Sequence, residues 1–596
     1  MYIRRVVVRN FRALKSVDIT FQPGLTCLIG ENNSGKTTLL QALRLVLDSN
    51  LSNYSRSLSN EDFSAGVNLS SPQQILIAVE LTNFNQRPEE EALVSEWVTD
   101  DDVACLCYRF KPNRRTRDEI KAGSLPDGSL TIENYDWQLA GIGGKDPASV
   151  QWDDELAAPA RFDRLGAFNI TFLQALRDVE DDLRRSRFSP LTRLLDEAGL
   201  SEKDKNKLLD RLRDANTSIK KEKAITDLGK SIQSSLLNTV GDVFSFGVDV
   251  GIADPTFSAL AKSLVLLLST GGLDVSDPSR NGLGLNNVLY ISMLLEVFRK
   301  RISRPNVAGQ LLLVEEPEAH LHPELQRIVF SSLQSSGCQV LTTTHSTHVT
   351  SIAPLLHTVV LTKKNDFSSS AVVPASGCNL SNSDIKDLER YLDATRSTLL
   401  FARRVILVEG MSEVFLIPPL IKTVMGIDLQ REGIALVAIH GTHFAPYAKL
   451  FKAGGIEKKC AVITDGDAQN TTKDDNDDFS DIQNTSIDDL KSLENPFFKV
   501  FSCITTFELE LASHGNLKMF AESTNRLGAL RVTKKIAKMA ESKSLTKIEG
   551  LSASEDVLRA AKRFGKARFA QVASEYCAMA KDVPDYIKTA IDWLRK

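Results

Sequence analysis

Apolar and polar positions along the chain follow two spacings in turn, close to 2 and close to 3.6, which predicts a mixed α/β fold. The opening MYIRRVVVRNFRAL has strand alternation, and the short apolar run LTCLI (25–29) predicts a second strand. TLLQALRLVL then takes up helical spacing. Charged amphipathic helical material fills about 172–235, including KDKNKLLDRLRDANTSIKKEK, and the apolar VLYISMLLEVF predicts another helix. Apolar strands follow at LLLV (311–314) and QVLTTT, the latter ending at His345. After a polar stretch (366–384) and one helix over IKDLERYLDATRSTLLFA, the pattern restarts. RVILV (404–408), IALVAI and CAVIT (460–464) predict three strands of a second, parallel sheet.

A chain of 596 residues is too long for one hydrophobic core. The divisions the patterns support are 1–170, first part of one α/β domain; 171–250, a helical insertion; 251–385, the second part of that domain; and 386–596, a C-terminal α/β domain with a helical tail. Hydrophobic residues make up 42% and charged residues 25%, as in ordinary globular proteins. The net charge of −4 carries no global signal for nucleic acid, so any DNA contact must use a local patch. The eight cysteines form no CxxC pairs and read as core thiols of a reduced compartment. No apolar run reaches the length of a membrane span and the first residues do not read as a leader, so a soluble, cytoplasmic protein without membrane contact is expected.

Candidate chemistry sits where strands end. Gly30-Glu-Asn-Asn-Ser-Gly35-Lys36-Thr37 matches G-x-x-x-x-G-K-[ST] between a strand and a helix. Gly30 and Gly35 let backbone amides face phosphates, Lys36 supplies a point charge, Thr37 a hydroxyl for Mg²⁺, and Asn33 and Thr38 complete the expected contacts. The strand 311–314 ends in Glu315 and Glu316, the first expected to hold the hydrated Mg²⁺ and the second to polarise the attacking water. His345 is placed to reach the γ-phosphate. Gly282 and Gly284 lead into a helix N-terminus and read as an anion site or as a plain glycine-rich cap; the loop resembles the signature of ABC-type ATPases, which implies that it completes a partner's nucleotide site.

In the C-terminal half Glu409 ends one strand, with Glu413 a helical turn on, and Asp465 and Asp467 follow another. Four carboxylates converging there would repel one another unless divalent cations intervened, and hard oxygen ligands suit Mg²⁺ or Mn²⁺. Glu508, after the apolar stretch near 501, is a further candidate ligand. Residues 526–568 carry twelve Lys and Arg, a solvated helical face or a track for a phosphate backbone. Within it Lys566 is the candidate for stabilising charge on a scissile phosphate. The acidic run 474–478 reads as a surface loop.

The first half, with Asn10-Phe11-Arg12 after its opening strand, resembles the ABC-type ATPases of the RecF/SMC group, which implies dimerisation and makes the helical insertion a candidate dimerisation arm. Strand–Glu-Gly followed by strand–Asp-x-Asp resembles the Toprim domain. Zinc ribbons of primases are absent, and little over 100 further residues leave scant room for a topoisomerase's strand gate, which favours nuclease chemistry.

Together GENNSGKTT, LLLVEEPEAHLHP, TTHS, VEGMSE, TDGD and GKARFA resemble the OLD (overcoming lysogenization defect) family of ATPase–Toprim nucleases, including the nuclease component of the Gabija anti-phage system, which has a UvrD-like helicase beside it. The resemblance implies an ATP-regulated DNA endonuclease in anti-phage defence with two Mg²⁺ or Mn²⁺ ions. It implies Glu409, Glu413, Asp465, Asp467 and Glu508 as metal ligands, Lys566 as catalytic cation, and a homodimer or higher oligomer. The alternative reading is a non-nucleolytic SMC/RecF-like DNA-binding ATPase of repair or recombination.

Overall fold

The computed structural model describes the chain except residues 101, 126–129, 158, 161–164, 175–189, 198–199, 242–245, 251–255, 265, 267–281, 303–307, 467–486 and 542–546. The chain divides into two compact units, Met1–Leu173 with Leu311–Glu316 and Gln339–Lys596, and Gln174–Gln310 with Pro317–Cys338.

Among the described residues the first unit holds three sheets. Strands β1 (Tyr2–Phe11), β2 (Leu14–Thr20), β4 (Ile75–Thr82), β5 (Val98–Asp100), β6 (Val103–Pro112) and β7 (Tyr135–Gly141) form an antiparallel sheet in the order β2-β1-β4-β6-β5, with β7 also on β6. The alternation expected of β1 is only partial. Its centre buries Val6, Val7 and Val8 in succession, so both faces are covered there.

The second sheet runs β12-β11-β3-β10-β9-β8, built from β3 (Leu25–Gly30), β8 (Phe168–Leu173), β9 (Gly309–Glu315), β10 (Gln339–Thr343), β11 (Thr358–Lys363) and β12 (Ser369–Val372). β3 pairs in parallel with β10 and β11, and β10 in parallel with β9. Strands β3, β9, β10 and β11 are buried almost throughout, as strands covered on both faces require. Helix α1 (Lys36–Leu47) follows the loop after β3 and buries Leu39, Leu40, Leu43, Val46 and Leu47, one face at helical spacing.

The third sheet is wholly parallel, order β14-β13-β15-β16, from β13 (Arg404–Val408), β14 (Ile434–Ala438), β15 (Cys460–Thr464) and β16 (Phe498–Ser502). The first three are the expected strands; β16 lies in a stretch the sequence pattern marked only as apolar. β13 connects outward to β14 and β15 to β16 on the other side. The crevice at the carboxyl ends of β13 and β15 is therefore the topological switch point, where open parallel sheets bind ligands. Helices α2 (Met411–Met425), α3 (Phe507–Ser513), α4 (Lys547–Phe564), α5 (Lys566–Ser574) and α6 (Asp585–Arg595) share one apolar core with this sheet, including Ile406, Leu416, Leu420, Phe507, Val557, Phe569 and Ile587.

The single helix expected over 385–402 is broken in two. It stops at Tyr391 and resumes only at Thr398–Phe401. Asp393 is the cause, because its Oδ1 accepts from Thr395 N at 2.9 Å and Arg396 N at 2.7 Å and so competes with the helical ladder.

The second unit is helical where it is described. Glu202–Lys221 and Lys223–Val240 form a hairpin, and Pro190–Glu197 packs on Leu283–Ile302, with Arg301 Nε 2.7 Å from Glu197 Oε1. No helix among the described residues is long and apolar enough to cross a membrane.

Candidate functional site

Two sites form at strand ends in the first unit. The nucleotide candidate is a pocket of about 560 Å³ lined by Arg12, Asn32, Asn33, Gly35, Lys36, Thr37, Thr38, Glu316, Thr343 and His345. Adjacency of β3, β10 and β9 brings these parts together from positions nearly 280 residues apart in sequence. Gly30 has no room for a side chain, since a Cβ there would lie 2.3 Å from Leu361 O. Lys36 Nζ donates to Gly30 O at 3.0 Å and Glu31 O at 2.7 Å. Glu315 is buried at the tip of β9, and Glu316 follows it with a φ of 46°, a turn that carries its carboxylate to 3.7 Å from His345 Nε2. Burial and the Lys36 ammonium lower the His345 pKa, against the pull of Glu316.

The structure thus gathers Asn33, Gly35, Lys36, Thr37, Thr38, Glu316 and His345 around one pocket, with Gly30 at its loop and Glu315 at its strand. Gly282 and Gly284 belong to the second unit, where Gly284 lies in the first turn of Leu283–Ile302 and a Cβ on it would meet His320 O at 2.6 Å. Arg12 lines the pocket although the sequence marked it only as part of a resemblance; its Nε is 2.8 Å from Asp62 Oδ1.

The second site occupies the Toprim-like switch point. Register pairs Val408 with Ile463, so Glu409 and Asp465 leave neighbouring strand ends together. Thr464 Oγ1 donates to Glu409 Oε1, and Asp465 N donates to the same oxygen at 2.9 Å. Asp465 Oδ1 accepts from Phe507 N at 2.8 Å, which ties the start of α3 to the end of β15. Glu413 is buried in the first turn of α2 and Glu508 in the first turn of α3, at 8% and 2% exposure. Helix N-termini favour anionic side chains, which suits both positions.

Across from them Lys566, first residue of α5, places Nζ 3.3 Å from Glu508 Oε2, the ion pair that buried oxygen makes. Burial raises the Asp465 carboxyl to about 7, with Glu409 and Glu508 adding to the shift and Lys566 opposing it. Burial also raises Glu413 to about 8, helped by Asp465, Glu409 and Glu508. Burial opposes the charge on Lys566, but the surrounding carboxylates, Glu508 first, raise its pKa on balance.

Glu409, Glu413, Asp465, Glu508 and Lys566 are therefore one cluster. Asp467, like the acidic run 474–478, lies outside the described residues. Among the described residues no three acids are already arranged as ligands of one ion. The donor set still fits a hard divalent cation. Glu413 and Glu508 are buried, Glu409 and Asp465 are half-buried, and the four repel one another, costs that such an ion would relieve. The sequence missed the hydrogen bonds from Thr464 and the Phe507 amide, which depend on β15 lying between β13 and β16.

Fold and sites define a P-loop ATPase joined to a Toprim-like parallel sheet with an acidic crevice. Comparison with known proteins agrees. Residues 1–134 and 166–350, over half of the chain, match the AAA ATPase domain, and residues 400–467 match the "Overcoming lysogenization defect protein-like, TOPRIM domain". The chain belongs to this AAA ATPase domain family and carries an OLD-like Toprim domain. It is 24% identical to the Old nuclease of Escherichia phage P2 over 77% of this chain and 75% of that one. It is 24% identical to the OLD nuclease of Thermus scotoductus over 69% and 72%, and 20% identical to endonuclease GajA of Bacillus cereus VD045 over 78% and 75%. Domains of these two kinds use ATP and a divalent metal ion.

Proposed function

We propose that the chain is a metal-dependent DNA endonuclease whose cleavage is regulated by its ATPase, acting in the cytoplasm in anti-phage defence. The observation that carries this reading is the Glu409–Glu413–Asp465–Glu508 cluster with Lys566 set against it. The names of the nuclease relatives point the same way.

In this reading Glu409, Glu413, Asp465, Asp467 and Glu508 hold Mg²⁺ or Mn²⁺, which when bound supplies an activated water and charge stabilisation on the phosphate. The remaining work falls to the chain. Phe507 N–H and Thr464 fix the carboxylates, α2 and α3 present theirs from first turns, and Lys566 offers an ammonium to the charge that develops on the scissile phosphate. In the other site Lys36 and Thr37 bind the nucleotide and its Mg²⁺, Glu315 holds the ion's hydration shell, Glu316 polarises water, and His345 faces the γ-phosphate. Gly282 and Gly284 complete the site of a second copy.

We assign 1–170 and 251–385 to the ATPase, 171–250 to a dimerisation arm and 386–596 to the nuclease domain. The arm exposes Leu208, Ile219, Leu228 and Ile232 at 39–50%, apolar surface that a second copy would cover. A UvrD-like helicase is a candidate partner.

The test is plasmid cleavage by the full chain with Mg²⁺, Mn²⁺ or EDTA, each with and without ATP, beside Asp465→Ala. Metal-dependent nicking lost in the variant is the expected result, and the ATP lanes give the direction of regulation. Cleavage that survives Asp465→Ala removes that residue from the site. Intact ATP hydrolysis without cleavage of any DNA offered would favour a non-nucleolytic repair ATPase.

A further inference from the structure

A cleft of about 290 Å³ lies where the end of β11 meets the amino ends of β13 and β15, the edge of the third sheet opposite its acidic crevice. Its walls carry Lys363 and Lys364 after β11, Arg403 and Arg404 at the start of β13, Lys458 and Lys459 before β15, and Lys596. Against these seven cations Glu457 is the lining carboxylate side chain.

The internal partners leave most of that charge standing. Glu457 takes Lys364 at 2.7 Å, and Arg404 reaches Glu432 only at 3.9 Å. Lys458 Nζ donates to Leu400 O at 2.8 Å and Lys459 Nζ to Trp593 O at 2.9 Å, bonds that satisfy a donor and cancel no charge. Lys363, Arg403 and Lys596 form no ion pair among the described residues. Burial, then repulsion from Arg404, Lys499 and Lys596, lowers the Lys459 pKa, and Lys458, 3% exposed, is brought down to about 8 chiefly by burial. A concave wall of one sign concentrates field lines and destabilises itself until a counter-ion arrives.

We propose that this cleft is a second anion site, separate from the P-loop, that takes the phosphate chain of a small polyphosphorylated ligand. Several cations from three strand edges match an anion bearing several charges along its length, and arginine beside lysine is the usual pairing at phosphate oxygens. The volume lies at the lower end for small-molecule sites and cannot admit a duplex.

The phosphates could come from a free polyphosphate or from the end of a nucleic acid strand, and the test separates the two. The full chain carrying Lys36→Ala, which disables the P-loop, is titrated calorimetrically with inorganic triphosphate and, separately, with a 5′-phosphorylated single-stranded oligonucleotide. The same titrations are run after adding Lys363→Glu and Arg403→Glu, exposed positions where reversal should not disturb folding; thermal melting checks that. Triphosphate binding that weakens about tenfold or more on charge reversal is the expected result. Absent triphosphate binding, or binding indifferent to the reversal, overturns the proposal, as does charge-dependent binding of the oligonucleotide alone. The readout is binding, and neither reversed residue belongs to the acidic crevice, so failure here is distinguishable from failure of the nuclease reading.

Discussion

Lys566 Nζ stands 3.3 Å from Glu508 Oε2, pairing the first residue of one helix with the second residue of another about sixty positions earlier. The partner carboxylate is 3% exposed at its side chain while the lysine is 43% exposed, so the ammonium bridges the acidic cluster and solvent. A cation so placed can neutralise the crevice before substrate arrives and turn to a phosphate afterwards. Lys566→Ala is expected to lower DNA cleavage by about 10²-fold or more while leaving ATP turnover intact. Lys566→Arg should recover part of the loss. Cleavage rates unchanged in Lys566→Ala would remove the residue from catalysis.

The acidic crevice also sets a pH dependence of stability. The folded state raises Asp465 from 3.8 to about 7 and Glu413 from 4.5 to about 8, so between those limits it holds protons the unfolded chain has released. The stability these groups contribute is thus complete below about pH 4 and is lost as pH rises through about 7 and 8. The metal-free protein should melt at progressively lower temperature across that window. Glu413→Gln should flatten the trend, and Mg²⁺ or Mn²⁺ at the alkaline end should restore the melting temperature by binding the folded state. A melting temperature that climbs across the window in EDTA would contradict the buried cluster.

Much of both sites was legible because Glu315, Glu409 and Asp465 sit at the ends of short apolar strands, where sequence position and sheet topology coincide. Lys36, Glu316 and His345 line one pocket, and Glu409 and Asp465 leave adjacent strands. What the sequence could not carry was lateral order. Nothing in FKVFS announces that it pairs with β15, and without β16 the Phe507 amide has no reason to meet Asp465. The break at Asp393 was equally hidden, since the apolar spacing continues through it while a side-chain hydrogen bond ends the helix. The basic cleft is assembled from residues some 230 positions apart that no local pattern links.

In the nucleotide pocket the two acids at the end of β9 are in different surroundings, Glu315 buried and Glu316 turned toward His345. Glu316→Gln should therefore keep ATP affinity and slow hydrolysis by about 10²-fold. Lys36→Ala should instead abolish ATP binding, because its ammonium is the loop's cation. Equal ATP affinity in Lys36→Ala and the parent, measured by equilibrium titration, would refute the P-loop assignment.

Gly466 tests whether the crevice depends on close backbone approach. A Cβ added there would lie 2.5 Å from Cys503 O and 2.6 Å from Ile504 O, rigid main-chain atoms on the far side of the β15–β16 pair. The turn is held there by Gly466 N donating to Thr505 O at 2.9 Å and Cys503 N donating to Thr464 O at 3.2 Å. Both carbonyls lie a few residues before Phe507, whose N–H donates to Asp465 Oδ1 at 2.8 Å, so the strain falls beside the carboxylate. Gly466→Ala is expected to cost about 1–3 kcal/mol of stability and to depress cleavage far more than that loss of folded protein explains. ATP hydrolysis, measured on the same preparation, should stay near the parent value, since the P-loop lies at another sheet. A variant that cleaves DNA normally would show that the turn has more room than its backbone distances allow.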